Sequence, residues 1–240
     1  MRRLINHVLK KNFNNKLKEL KTVNDLEKKL IIMNETIGRK DFKVLVIDDE
    51  GFDVTPIKSL GYKQFEVKYS FEEIEMYKKY DVILCDIRGV GGHIDPDRQG
   101  LAVAIEIKKQ FSEKLVLIYS SASKSDFLEN DFKKVDGIIE KGISTQRLSQ
   151  RLDKEIQEFF NYTRVWKEQR DKMLEQEIDL KVLCVLEDKY CKILENKRGI
   201  EEELKKSLDF SSVDFNKIES HINLLVSFAK IIVNVGGVNG

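Results

Sequence analysis

Short apolar runs punctuate the middle of the chain. Residues 42–47 (FKVLVI) are almost continuously apolar, 65–69 (FEVKY) alternate, and 81–85 (DVILC), 115–119 (LVLIY) and 137–139 (GII) are again apolar. Each has strand length, and each is followed at once by polar residues. Between them, 71–79, 100–111 and about 124–134 carry helical spacing. Residues 51–60 contain Pro56 and end at Gly61-Tyr62, which leaves room for only a shortened or distorted helix. Apolar strands alternating with helices predict an α/β class fold, a parallel sheet covered on both faces.

The flanks follow a different rhythm. In residues 1–38, Val23, Leu26, Leu30, Met33 and Ile37 fall at alternating spacings of three and four, an apolar seam fit to pack on the rest of the chain or on a second copy in a homodimer. Residues 144–235 read as almost wholly helical. Leu148, Leu152, Ile156 and Phe159-Phe160 share one face, with Ser144 or Thr145 as N-cap. A charged stretch from Trp166 to Leu194 carries a second stripe (Leu183, Leu186, Tyr190, Ile193), Arg198-Gly199 is a candidate break, and a last helix carries Ile218, Ile222, Leu225, Ala229 and Ile232 before Gly236-Gly237. His221 borders that stripe and reads as a partly packed surface histidine, and Trp166 as a packing anchor. Three regions result: an N-terminal helical arm over 1–40, an α/β domain over 41–162 and a helical domain over 163–240.

Composition narrows the class. Charged residues make up 35% of the 240, and only two prolines occur, which suits a helix-rich globular protein with a charged surface. The net charge of +1 argues against a general polyanion binder. It conceals eleven Lys/Arg against four Asp/Glu in residues 1–40, a local balance of +7. That reads first as a solvated lysine-rich face, with nucleic acid or a membrane surface as the sharper alternative. Cys85, Cys184 and Cys191 are too few and scattered for a disulfide framework or a zinc site, and read as small core residues in a reducing compartment. No apolar run reaches membrane-spanning length and the start has no signal-peptide core, so the expectation is a cytoplasmic protein.

The chemistry collects where the strands end. In an open parallel sheet, ligand sites form at the carboxyl ends of strands. Strand one delivers Asp48 and Asp49, strand three Asp86, strand four Ser120 and strand five Lys141. Clustered carboxylates repel one another, and a hard cation such as Mg²⁺ relieves this through oxygen ligands while neutralising charge on a phosphoryl group in transfer. One carboxylate can act as nucleophile, with the ammonium and the hydroxyl holding the phosphoryl oxygens.

Read in order, these residues resemble the response-regulator receiver family of bacterial two-component and phosphorelay signalling. The matching positions are Asp48, Asp49, Asp86 with its preceding strand, Gly100-Leu101 opening the next helix, Ser120 and Lys141. The resemblance covers residue 42 to about 160. It implies a flavodoxin-like, five-stranded doubly wound sheet of strand order 2-1-3-4-5, with N- and C-terminal helical extensions. It further implies Asp86 as phospho-acceptor, Mg²⁺ held by Asp48, Asp49, Asp86 and the main-chain carbonyl of Arg88, and Lys141 paired with the phosphoryl group. Ser120 would be the switch hydroxyl, with Ser121 the alternative. The donor would be a sensor histidine kinase or phosphotransfer protein, and self-phosphorylation from it the only catalysis.

Three features depart from the family. The first helix is curtailed. The loop after Asp86 is extended through residue 99, so that its glycines could approach a phosphate and His93, Asp95, Asp97 and Arg98 could reach the site, against the plainer reading of a mobile surface loop. The aromatic switch position is Ile138, and Gly142 follows Lys141. The pocket is thus complete while the parts that report phosphorylation are altered. Residues 160–240 contain no convincing helix-turn-helix and no catalytic signature, which makes DNA binding a minor reading and favours packing or capture of a protein partner. Two other functions stay open: an interaction scaffold that keeps the acids without phosphorylation, and a Mg²⁺-dependent phosphohydrolase.

Overall fold

The computed structural model describes residues 20–26, 38–121, 132–196 and 215–235. The chain divides into two compact units, residues 36–160 and residues 161–237 with 1–35.

The first unit is built on five strands: β1 (Lys43–Ile47), β2 (Gln64–Lys68), β3 (Val82–Cys85), β4 (Leu115–Ser120) and β5 (Gly137–Glu140). They form one sheet in the order β2-β1-β3-β4-β5, every pairing parallel. β3 and β4 are buried at every position, as a central strand covered on both faces must be. Leu45, Ile47, Ile83, Cys85, Val116 and Ile118 point to one face and join Leu101, Ala104 and Ile107 of helix α2 (Gly100–Gln110). The alternate residues Val44, Val46, Leu84 and Leu117 are equally buried and must face the other side. There, α1 (Val54–Ser59) packs on β2 and on α3 (Thr145–Phe159), which covers β4 and β5. The fold is therefore the doubly wound, flavodoxin-like one expected from the sequence.

Local chemistry explains the helices. Asp53 caps α1 by accepting from the Thr55 amide at 2.9 Å, and Pro56 is the third residue of the helix, where its missing N–H breaks no helical bond. Ser144 caps α3 through the Arg147 amide, and Leu148, Leu152, Ile156 and Phe159 are buried along it as expected. Each such side chain contributes roughly 1.5–3 kcal/mol by leaving water.

The expected helix over 71–79 is instead a 3₁₀ turn over Ile74–Lys79. Phe71, Ile74, Tyr77 and Tyr80 recur at strict intervals of three, the period at which 3₁₀ side chains eclipse, whereas an α-helix would rotate them off one face. Phe71 stacks on Tyr77 at 5.4 Å, and the Tyr77 hydroxyl accepts from the Glu72 amide at 2.9 Å. The helix expected near 124–134 lies largely outside the described residues.

The second unit contains α4 (Tyr162–Glu175), α5 (Leu180–Asn196) and α6 (Phe215–Val235), with α6 packed on both others. Leu183, Leu186, Ile193, Ile218, Ile222, Leu225 and Ala229 are buried, and Trp166 stacks on Tyr190 at 6.0 Å. The amides of Lys21 and Val23 donate to Asp188 and Glu187 of α5, and Val23 and Leu26 are buried; the rest of their seam, Leu30, Met33 and Ile37, is outside the described residues. The stretch from Trp166 to Leu194 breaks at residues 176–179, where Glu177 takes a positive φ of 60° and the Ile178 amide returns to the Met173 carbonyl at 3.0 Å. The break considered at Arg198-Gly199 and the ending at Gly236-Gly237 are outside the described residues. His221 is not a surface residue. It is buried, its Nδ1 2.8 Å from Gln169 Oε1 and its Nε2 3.2 Å from Gln176 Nε2, because α6 turns that edge of its stripe onto α4. No described helix is long and apolar enough to cross a membrane. Cys85 and Cys191 are buried free thiols, and Cys184 is half-buried.

Candidate functional site

The strand order reverses between β1 and β3, and such a switch point opens a crevice at the carboxyl ends of the two strands. Ile47 pairs with Cys85, so Asp48 and Asp86 leave neighbouring strands side by side. Backbone bonds hold them there: the Asp86 amide donates to the Ile47 carbonyl at 2.8 Å, and the Asp48 amide to the Lys68 carbonyl at 2.9 Å. Asp48 and Asp86 are 1% and 4% exposed, while Asp49, one residue on, is open to solvent. One carboxylate oxygen from each of the three lies within 4.8 Å of the others.

Lys141 enters from the end of β5. Ser120 pairs with Glu140, and the Lys141 amide donates to the Ser120 carbonyl at 3.0 Å, which aims the next side chain across the rim. Its ammonium contacts Asp86 directly, Asp48 Oδ2 at 2.9 Å and Glu50 Oε2 at 3.8 Å. Burial acts against the charged lysine, but its hydrogen bonds to Asp86 and then Asp48 outweigh this and push its pKa up. Burial, reinforced by Asp86 and Asp48, likewise pushes the Cys85 thiol up, so Cys85 stays a neutral core residue. Ser120 is the last residue of β4 and is buried; Ser121 is exposed. Arg88 is exposed in the turn after Asp86, and its amide lies 3.5 Å from Asp86 Oδ1.

The loop after Asp86 is anchored near its start and its end, while residues 92–94 and 96–98 are exposed. Val90 is fully buried in the core, and Gln99 accepts from the Gly89 amide at 3.0 Å. Gly89 has φ +75°, and a Cβ there would fall 2.0 Å from Asp49 Oδ2. A Cβ at Gly100 would fall 1.7 Å from the Asp86 carbonyl oxygen. Only glycine lets the backbone pass this close to the acids. Asp95 accepts from the amides of Asp97 and Arg98 and pairs with the Arg98 guanidinium at 3.0 Å, while His93 is exposed.

The donor set fits a hard divalent cation. Three carboxylates converge, all ligand atoms are oxygen, and a glycine opens the space beside the most exposed of them. Sequence reasoning pointed to the glycines of the loop after Asp86, of which Gly89 lies against Asp49, but did not assign Glu50 or Tyr119 to this neighbourhood. The only signal for Glu50 was its place as the third acid after β1.

No protein-family model matches the sequence, and no curated protein matches it. Solved structures similar to it include the beryllofluoride-activated receiver domain of DrrB (19% identity, 48% of this chain and 97% of that one, TM-score 0.36). The receiver domain of NtrX from Brucella abortus matches at 20% identity over 48% of this chain and 98% of that one (TM-score 0.38), and a response regulator from Thermotoga maritima at 22% over 47% and 95% (TM-score 0.36). The five parallel strands in the order 2-1-3-4-5 by themselves give the unit of residues 36–160 a flavodoxin-like, doubly wound fold.

Proposed function

We propose that the α/β unit accepts a phosphoryl group on Asp86 with Mg²⁺ and acts in a phosphorelay. The observation that carries this reading is the meeting of three carboxylates and one ammonium at the β1/β3 switch point. Asp48, Asp49 and Asp86 would hold the cation with the Arg88 carbonyl. When bound, Mg²⁺ supplies charge neutralisation at the phosphoryl oxygens.

The chain's own part is positioning. A carboxylate oxygen of Asp86 attacks phosphorus, the bond from phosphorus to the donor atom breaks, and the leaving group departs with the electron pair, giving an aspartyl phosphate. Lys141, already beside Asp86, pairs with the new anion, and Ser120 donates to a phosphoryl oxygen. The donor is a sensor histidine kinase or phosphotransfer protein, and the output is a protein–protein contact of residues 163–240, with the arm 1–40 as a second candidate surface. A cytoplasmic setting follows from that partner.

The test is incubation of the full chain with Mg²⁺ and acetyl phosphate, or with beryllofluoride. Intact mass gains one phosphoryl group, and an Asp86→Asn variant gains none; a variant that is still modified removes Asp86 from the role. Mg²⁺ binding with no uptake of either reagent supports the scaffold reading, which Ile138 in the switch position favours. Continuous phosphate release over many turnovers supports the hydrolase.

A further inference from the structure

We propose that Tyr119 and Phe52 carry the state of the acid site, through Lys141, to the segment between β1 and α1. They would take the place of the aromatic switch that the resemblance expects at residue 138, where this chain has isoleucine. This inference rests on the reading of Asp86 as phospho-acceptor.

Ile138 packs with Ile118 and α2 in the cluster on one face of the sheet. Tyr119 precedes Ser120 on β4, and strand alternation turns it to the other face. It is 7% exposed and sits beside the site: the Lys141 ammonium is 5.9 Å from the centre of its ring, at the limit of cation–π contact. The ring meets Phe52 edge-on, with centroids 5.9 Å apart and planes at 70°. Phe52 in turn stacks on Phe65 of β2 at 5.4 Å. A row of contacts thus runs from the ammonium between Asp48 and Asp86 to the edge strand beside α1.

Phe52 is tethered at both ends. Upstream, Asp48 Oδ1 accepts from the Glu50 amide at 3.0 Å, and its carbonyl from the Gly51 amide at 3.2 Å, so a shift of Asp48 moves the turn that carries Phe52. Downstream, Asp53 caps α1. A phosphoryl group on Asp86 draws the ammonium toward its oxygens, while a cation between the acids displaces it from Asp48. Either event changes the charge beside the Tyr119 ring and the anchorage of the Phe52 turn. The six-residue α1 adds little independent rigidity to this segment.

Hydrogen exchange on the full chain, with and without Mg²⁺ and beryllofluoride, tests this. Bound beryllofluoride is followed separately by its fluorine resonance. In the wild type, exchange changes over residues 50–60. Tyr119→Leu and Phe52→Leu still bind beryllofluoride but lose that change, and Tyr119→Phe, which keeps the ring, retains it. Either leucine variant showing the full change, or a wild-type response confined to residues 86–99, overturns the proposal. Failure of the wild type to bind beryllofluoride overturns the acceptor reading together with it, and the fluorine signal distinguishes that result from failed transmission.

Discussion

Lys141→Met would remove the ammonium that separates two desolvated carboxylates while keeping the length of the side chain. Asp48 and Asp86 have almost no contact with water, and the lysine nitrogen lies 2.9 Å from Asp48 and against Asp86. At an effective dielectric of about 20, charges ~3 Å apart attract by roughly 5–6 kcal/mol before desolvation is counted. Removing one partner of a buried pair costs about 3–5 kcal/mol, because the remaining charges stay buried and uncompensated. The Lys141 side chain is 18% exposed, which places the loss at the lower end, ~3 kcal/mol. Mg²⁺ at a hundred times its Kd returns about 2.7 kcal/mol. The variant also binds the cation at least about tenfold more tightly, a difference of ~1.4 kcal/mol, since the competing ammonium is gone. Native-state hydrogen exchange of the β1 and β3 amides reads the opening of this unit alone, in EDTA and in Mg²⁺. Lower protection in EDTA, largely restored by Mg²⁺, is the expected result. Equal protection of variant and wild type in EDTA, or an equal Mg²⁺ effect on both, refutes the reasoning. The sign with pH is also set. The folded-state pKa of Lys141 is raised, so its contribution is complete below the unfolded value of 10.5 and fades only as pH rises through the folded one.

Gly89→Ala forces a side chain onto a φ of +75° and onto Asp49; it costs about 1–2 kcal/mol and weakens Mg²⁺ binding roughly tenfold, measured by calorimetric titration. Burial, and then Lys172, lowers the pKa of His221, so its neutral form stabilises the second unit above the unfolded value of 6.5. That stability declines as pH falls from 6.5 through the folded value, by at most about 1.4 kcal/mol per pH unit, and His221→Gln abolishes the slope in urea unfolding. Tyr62→Phe removes a 2.9 Å hydrogen bond to Asp153, which Arg39 also grips, and lowers stability by about 1 kcal/mol in the same assay.

The acid positions were legible because each directly follows an apolar strand, and a parallel sheet brings strand ends together without any knowledge of packing. The alternation of strands with helices likewise pointed to the doubly wound sheet, and the stripe on α3 to its buried face. The 3₁₀ turn was present in the spacing of Phe71, Ile74, Tyr77 and Tyr80, but any two neighbours in that series would also share a face of an α-helix, and only the full run of four distinguishes the two. The break before α5 has no glycine or proline to mark it, since Glu177 itself takes the positive φ.

What the sequence determined by itself is local: which residues alternate, which cap, and which acids end a strand. Tertiary structure alone decided that Ser120, the last residue of β4, is buried while its neighbour Ser121 is exposed. It alone placed Lys141 between Asp48 and Asp86, buried His221 between two glutamines, and set Tyr119 between Lys141 and Phe52. Those contacts join segments far apart in the chain, and their partners are selected by how strands and helices pack, not by any pattern within a single segment.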